Sequence, residues 1–224
     1  MSPFSKLPQA KCTKEQYDNV DYSLLPSNFR IRTNYVPKTD ILSFKHYIDD
    51  TETWFDRYKI CFKKMLVTDH ERTLKGGIIL PKSSHTHSLN SVCFDDCIDL
   101  LQFAGLASSV VLDFFVKTVG VRNLTASVIQ GLPFKVHSPF KEAIIARVLR
   151  LNCVNEWYKS LWEMSNAIAD FGSWSKNDKR LSILDNDSNS YNDEVLLRND
   201  FERRMAMVEI DVLVSMAIGL ELSD

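Results

Sequence analysis

Alternation between apolar and polar residues predicts a small sheet in the first half of the chain. Residues 29–36 alternate in this way, which predicts a strand that ends at Pro37. Residues 74–80 predict a second strand, and residues 89–94 predict its partner in a loose hairpin. The polar side of the first strand consists of Arg30, Arg32 and Asn34.

Helical periodicity dominates elsewhere. A stripe of large apolar side chains predicts a helix over residues 53–67, and residues 98–116 are apolar on nearly all sides, as expected for one or two buried helices. Asp95 or Asp96 can cap the first of these buried helices, and Gly120 is a suitable stop. The stripe over 53–67 consists of Trp54, Tyr58, Phe62 and Met65.

Two further helices are predicted in the second half. The first opens at Pro139 and runs to about residue 168, after a short connecting element over 124–132. The last helix spans about 200–220 beyond a polar loop, and its apolar face is expected to lie in the core. The apolar faces consist of Ile144, Val148, Trp157, Leu161, Met164 and Ile168 in the first helix, and of Phe201, Met205, Val208, Val212 and Met216 in the last.

Together these elements predict an α+β fold, with a small mixed or antiparallel sheet in the first half that packs with a mainly helical second half. Residues 1–27 lack a period and contain three prolines, which predicts an arm or linker. The predicted division is therefore an N-terminal arm over 1–27, an α+β region over 28–137 and a helical region over 138–224.

Composition narrows the class of protein. Apolar residues make up 45% of the chain and aromatic residues 11%, so a packed core is expected. No run of about 18 apolar residues predicts a membrane span, and the N-terminus lacks the apolar region of a signal peptide. A cytoplasmic protein is expected, and its five cysteines, which form no CxxC pair, are interpreted as reduced thiols.

The distribution of charge adds a candidate partner. The net charge is −2, but residues 28–87 hold 11 Lys and Arg against 7 Asp and Glu, whereas residues 88–224 hold 13 against 19. A basic excess in one block favours contact with nucleic acid, and an ordinary solvated surface is the alternative.

Catalytic signatures are missing from the sequence. It contains no glycine-rich phosphate loop, no Asn-Pro pair and no Gly-x-Ser-x-Gly elbow, so no catalytic site and no cofactor are expected. His85 and His87 lie in a polar loop without the further ligands that a zinc site needs, so no metal is expected. This loop is interpreted as surface, with a polar contact to a nucleic-acid phosphate or base as the alternative.

Several basic and amide side chains are candidates for DNA contact. Arg30 and Arg32 offer planar donor forks for phosphate or guanine, and Asn34 can pair with adenine; a solvated edge strand is the alternative. Arg72 and Lys75, near the start of the second strand, are candidates of the same kind. Three lysines of the predicted 53–67 helix are interpreted as a solvated face, with phosphate contact as the alternative: Lys59, Lys63 and Lys64.

Five short sequence segments, taken in their order along the chain, resemble a known family. They are RTNYVP at 32–37, ERTLKGGIILP at 71–81, LLQFAGLASSVVLDFFVK at 100–117, LRLNCV at 149–154 and VEIDVLVSMAIGL at 208–220. In this order they resemble the C-terminal part of large type IIG-like restriction–modification methyltransferases, including those of phage-defence clusters.

The resemblance implies a non-catalytic module that recognises a DNA target for a methyltransferase or nuclease partner. In that family an upstream domain binds S-adenosylmethionine and methylates adenine N6; its motifs are missing here, so no methylation by this chain is expected. A fragment, a separately encoded specificity piece and a remnant are the alternatives, and so is a scaffold that docks on a defence complex without binding DNA. The expected DNA-binding residues are Arg30, Arg32, Asn34, Arg72, Lys75, His85, His87 and Asn90.

Overall fold

Among the described residues, three antiparallel strands form a sheet, and the first of them in sequence lies in its middle. The strands are β1 (Lys59–Lys63), β2 (Gly76–Ile79) and β3 (Leu89–Cys93), arranged in the order β2-β1-β3. The α+β prediction is therefore confirmed. The computed structural model of the chain describes residues 21–29, 54–67, 69, 71–165, 173–182, 191 and 196–220.

The α-helices of the described residues all follow the sheet in sequence. Short 3₁₀ turns lie at Tyr22–Leu24, Trp54–Asp56 and Glu156–Tyr158. The α-helices are α1 (Cys97–Ser108), α2 (Val110–Val119), α3 (Ala126–Gln130), α4 (Lys141–Asn152), α5 (Lys159–Ser165) and α6 (Asp200–Ala217).

One face of the sheet packs on the helices and the other faces away from them. Phe62 of β1 meets Phe103 of α1 edge to face, with ring centroids 5.8 Å apart. Because side chains alternate along a strand, Ile60 lies on the same side as Phe62. The opposite side, here called the outer face, carries Lys59, Cys61 and Lys63 of β1 together with their register partners on β2 and β3.

Helix α1 is the centre of the helical layer. Its residues from Leu100 to Ala107 are all buried, which confirms the predicted burial for the first part of residues 98–116. The prediction is wrong for α2, where Phe114 and Phe115 are 66% and 47% exposed. Asp96 caps it by accepting the Ile98 N–H over 2.9 Å. Gly105 allows α4 to approach closely, since a methyl group at this position would overlap the Ile144 side chain.

The predicted helix over 53–67 is wrong, since β1 occupies its centre. Residues Lys59 to Phe62 are all buried, because the central strand is covered on both faces and shows no alternation. The four stripe residues matched the helical period by spacing alone. The predicted hairpin between the second and third segments is also wrong: β2 and β3 form as expected, but each pairs with β1.

The predicted long helix is interrupted. Helix α4 begins at Lys141 and ends at Asn152, where Cys153 leaves helical geometry with φ −87° and ψ 63°. Trp157 and Met164 of the predicted stripe are consequently 39% and 55% exposed. The stop at Gly120 is confirmed, with φ at 70° in the left-handed region that favours glycine.

The apolar stripe of the last helix does not face the core. In α6 the buried residues are Glu202, Ala206, Glu209, Ile210 and Val214. The two buried carboxylates have partners that compensate their burial: Glu209 pairs with the buried Arg147 at 2.8 Å, and Glu202 accepts the Ser182 N–H. Val208, Val212 and Met216 are 43%, 48% and 48% exposed. The prediction of a core-facing stripe is wrong for these three residues, because polar pairs occupy part of the inner side.

Candidate nucleic-acid interface

Two lysines lie directly opposite one another on the outer face. The register of β1 with β2 pairs Phe62 with Gly76, and the next step brings Lys63 opposite Lys75. The Lys63 N–H donates to the Lys75 carbonyl over 3.1 Å, so the ladder continues to this pair. Like charges placed directly opposite on adjacent strands repel each other and destabilise the sheet. A bound anion would remove that repulsion.

A second basic contact lies at the same end of β1. Lys64 follows Lys63 directly, and its Nζ donates to His87 Nε2 over 2.8 Å. The Lys64 N–H donates to the Ser88 carbonyl over 3.0 Å, which holds the His87 loop beside the end of the strand. These four residues, Lys63, Lys64, Lys75 and His87, are called the basic rim below.

The cations of the basic rim lack carboxylate partners among the described residues. Lys63, Lys64 and Lys75 form none of the salt bridges seen in the described part of the chain. The Arg122 side chain, which is also exposed, lies near this end of the sheet, since the Arg122 carbonyl accepts the Leu66 N–H just beyond β1. Uncompensated positive charge on one end of a sheet is the electrostatic footprint that phosphate groups recognise.

The fourth sheet lysine has a different role. Lys59 is fully buried, and its Nζ donates to the carbonyls of Trp54, Phe55 and Arg57 over 3.2, 3.5 and 3.3 Å. It also lies 5.1 Å from the centroid of the Trp54 ring. Burial lowers the pKa of Lys59 below its usual value, and the neighbouring Cys61 and Cys93 partly offset this. Lys59 therefore closes the 3₁₀ turn and is not free to bind phosphate.

The predicted DNA-binding residues occupy several places. Lys75 and His87 lie in the basic rim. Arg72 pairs with Asp211 of α6 at 2.5 Å, and Asp211 also accepts the Val110 N–H at the start of α2, so Arg72 joins helices rather than the rim. Arg30, Arg32 and Asn34 lie outside the described residues.

His85 and Asn90 hold the loop and the strand in place. His85 Nε2 contacts Ser91 Oγ at 2.8 Å, and its Nδ1 lies 3.0 Å from the Thr86 carbonyl. Asn90 Nδ2 donates to the Leu124 carbonyl, which connects β3 to the segment before α3. Both side chains thus position the edge of the sheet from which His87 projects.

Two rim residues were assigned to a different element by the sequence pattern. Lys63 and Lys64 were placed on the solvated face of a helix, so their relation to Lys75 was hidden. The sequence does contain a signal for this pairing. Residues 75–79 and 60–63 are both short apolar runs with a lysine at one end, and interpreting both runs as strands would have allowed the two lysines to be paired.

The described residues contain no group of three or more His, Cys, Asp and Glu side chains placed to hold a metal ion. Taken singly, none of the described helices has the length and hydrophobicity needed to cross a bilayer. Cys61, Cys93, Cys97 and Cys153 are free thiols. Comparison with protein-family models, curated proteins and solved structures yields no match.

Proposed function

We propose that the chain is a non-catalytic DNA-binding module that holds duplex phosphates with the basic rim. The observation that carries the proposal is the cross-strand pair Lys63 and Lys75, two like charges in register without a carboxylate partner among the described residues. In the free chain this repulsion destabilises the sheet. A phosphate bound between the two ammonium groups attracts both of them and so offsets the repulsion.

The division of roles follows from side-chain chemistry. The lysines carry full charge on flexible stems and suit phosphate oxygens, which fix position but not sequence. The loop over residues 82–88 brings His87 beside them, where an imidazole can reach a base edge. Arg30, Arg32 and Asn34, expected from the sequence to read bases, enter this proposal through the sequence alone.

Salt-dependent duplex binding tests the proposal. Fluorescence anisotropy of a labelled duplex of about 20 base pairs gives the affinity of the native chain between 50 and 200 mM salt, roughly the range over which counterion release is measured. The double variant Lys63→Ala/Lys75→Ala should lose about two units of the slope of log affinity against log salt, near one for each phosphate contact. Lys159→Ala is the matched control, because Lys159 pairs with Glu163 on α5.

Equal slopes for the native chain and the double variant would remove the rim from the interface. Failure of the native chain to bind any duplex at low salt, alone or with its partner, would overturn the DNA proposal as a whole.

The proposed setting is a restriction–modification system in the cytoplasm, with a methyltransferase or nuclease chain as partner. It is supported by the five ordered sequence segments and by the free thiols of Cys61, Cys93, Cys97 and Cys153, which suit a reducing compartment. Phage defence is the proposed context because the resembling methyltransferases include members of such clusters.

A second candidate function, docking without DNA binding, is favoured by the exposed stripe on α6. Val208, Val212 and Met216 are each more than two-fifths exposed on one side of a long helix. Asp211 beside them accepts the Val110 N–H, so α2 with its 66% exposed Phe114 lies next to this helix. Exposed apolar side chains grouped along one helix face mark interaction surfaces.

Co-purification separates the two candidates. If docking is the function, the tagged native chain retains a larger chain from its source cells, Val208→Lys/Val212→Lys loses it, and no duplex is bound at low salt. If the Val208→Lys/Val212→Lys variant retains the same chain, the α6 stripe is not the docking surface.

A further inference from the structure

At Ile78, the β2 edge of the sheet is covered by other described residues. The bond from the Lys63 N–H to the Lys75 carbonyl shows that odd-numbered residues of β1 bond to β2, and the bond from Lys64 to Ser88 shows that even-numbered ones bond to β3. It follows that Ile78 of β2 points its N–H and carbonyl away from β1. Asn152 satisfies both groups, and the Tyr158 hydroxyl donates to the same carbonyl over 2.8 Å.

The edge of β3 has no such cover among the described residues. Even-numbered residues of β1 bond to Asn90 and Val92 of β3, their register partners. The main-chain N–H and carbonyl groups of the alternate residues, Ser91 and Cys93, therefore point away from β1. Neither main chain makes a hydrogen bond on that side with another described residue. Two donors and two acceptors are therefore presented in the spacing that an added strand requires.

A cavity of about 420 Å³ runs along this same edge. All five residues from 90 to 94 contribute to its wall, so the cavity follows β3, which is an edge strand of the sheet. The rest of the cavity wall is mainly apolar and includes Phe103, Ile129 and Phe134. Phe134 is 43% exposed, so an aromatic side chain lies at the mouth.

We propose that the β3 edge binds an extended apolar peptide segment of a partner protein as a fourth strand. The main chain of the peptide pairs with Ser91 and Cys93, and one large aliphatic or aromatic side chain enters the cavity. A small molecule would fill the cavity and leave the four main-chain groups unused, whereas a peptide strand satisfies both features at once. The cavity volume lies within the range of about 300–1,000 Å³ found for ligand pockets.

The hydrogen-bonding requirement gives the test its matched variants. Ser91→Pro removes the edge N–H, and proline is tolerated on an edge strand where that N–H faces outward. Ser91→Ala keeps the N–H and, like the proline variant, removes the hydroxyl that contacts His85. Comparing these two variants isolates the main-chain donor from the side chain.

The probe is a displayed library of random peptides of about ten residues, a length that spans a typical strand, selected on the full native chain. Enriched peptides are then synthesised, and their affinities for native, Ser91→Ala and Ser91→Pro chains are measured by calorimetry. Amide hydrogen exchange of Ser91 and Cys93 is followed by NMR with and without peptide.

The expected peptides carry a large apolar residue flanked by alternating residues and bind the native and Ser91→Ala chains alike. Ser91→Pro should bind about tenfold more weakly, the effect of one net hydrogen bond. The amides of Ser91 and Cys93 should exchange more slowly in the complex, and Ile129→Asp, with a charge in the cavity wall, should abolish binding.

Three results would each overturn the proposal. The library yields no peptide that distinguishes Ser91→Pro from Ser91→Ala; the selected peptides leave the exchange of Ser91 and Cys93 unchanged, which is the behaviour of a plain apolar pocket; or sedimentation shows that the native chain occupies this edge with a second copy of itself.

Discussion

The carboxamide of Asn152 forms two hydrogen bonds with the main chain of a single residue, Ile78. Its Oδ1 accepts the Ile78 N–H over 2.9 Å, and its Nδ2 donates to the Ile78 carbonyl over 3.2 Å. Asn152 is fully buried at the end of α4, and Ile78 is fully buried in β2. One side chain at the end of α4 thus covers the β2 edge at Ile78 and connects the helix to the sheet.

Asn152→Ala should destabilise the protein by about 1–3 kcal/mol, because it leaves the buried Ile78 N–H unpaired, while the Ile78 carbonyl keeps the Tyr158 hydroxyl as a donor. Urea denaturation followed by circular dichroism measures the change. Asn123→Ala is the control, since the Asn123 side chain is exposed and should contribute less than about 0.5 kcal/mol. A loss for Asn152→Ala as small as for the control would show that the pairing with Ile78 contributes little.

Lys75→Glu should stabilise the free protein while it weakens duplex binding. The substitution replaces a cross-strand repulsion with Lys63 by an attraction, worth roughly 0.2–1 kcal/mol. The same change removes one phosphate contact and adds a repelling charge, so anisotropy should show weaker binding of duplex DNA. Lys75→Gln, which only removes the charge, should fall between the two. A variant that binds DNA as the native chain does would exclude Lys75 from the interface.

Gly105→Ala should lower stability by about 1–3 kcal/mol, even though alanine favours a helix over glycine by close to 1 kcal/mol. The added methyl overlaps the Ile144 side chain and forces α1 and α4 apart. Gly131→Ala is the matched control, because its added methyl would meet only carbonyl oxygens at 3.5 and 3.7 Å, which is ordinary contact. Thermal unfolding of both variants provides the comparison, and a stabilised Gly105→Ala chain would contradict the packing described for α1.

Stability should decline in alkali, partly through Cys61. Burial raises the pKa of the Cys61 thiol to about 12 from an ordinary 9.0, with the Lys59 cation opposing the shift. A thiol whose pKa is raised by folding stabilises the native state below pH 9, and this contribution is lost as the pH rises toward 12. Lys59, with its lowered pKa, acts in the opposite direction up to its ordinary 10.5.

Cys61→Ala should therefore lose less free energy of unfolding between pH 8 and 11, about the window set by that shift, than the native chain does. Urea titrations at each pH compare the two slopes, and the difference at pH 8 gives the packing cost of the substitution. Parallel curves over the whole window would mean that the thiol does not titrate with folding.

Two valines of α6 should respond differently to substitution. Val214 is fully buried and Val212 is 48% exposed. Val214→Ala should cost about 1–3 kcal/mol through lost burial and a small cavity, whereas Val212→Lys should change stability by less than about 0.5 kcal/mol. Chemical denaturation of each variant decides the matter, and a large loss for Val212→Lys would indicate that the stripe is covered in solution.

The local chemistry of the sequence determined much of the fold. The α+β class, strands β2 and β3, the buried helix α1, the cap at Asp96, the stop at Gly120 and the existence of α6 all follow from nearby residues. Such features depend on side chains that bond to their own backbone or on apolar runs bounded by turn residues, and both signals are contained in a few consecutive positions.

The tertiary structure decided what depended on distant partners. Lys59 and Lys63 belong to a central strand because β2 and β3 close on both sides of it, which no local period encodes. Helix α4 ends where Asn152 meets Ile78, 74 residues away in sequence. The inner side of α6 contains Glu209 because the buried Arg147 pairs with it, and this turns the most apolar stripe outward. Pairing across long sequence distances thus overrode local hydrophobicity at each of these places, and it is also what brings Lys63 opposite Lys75.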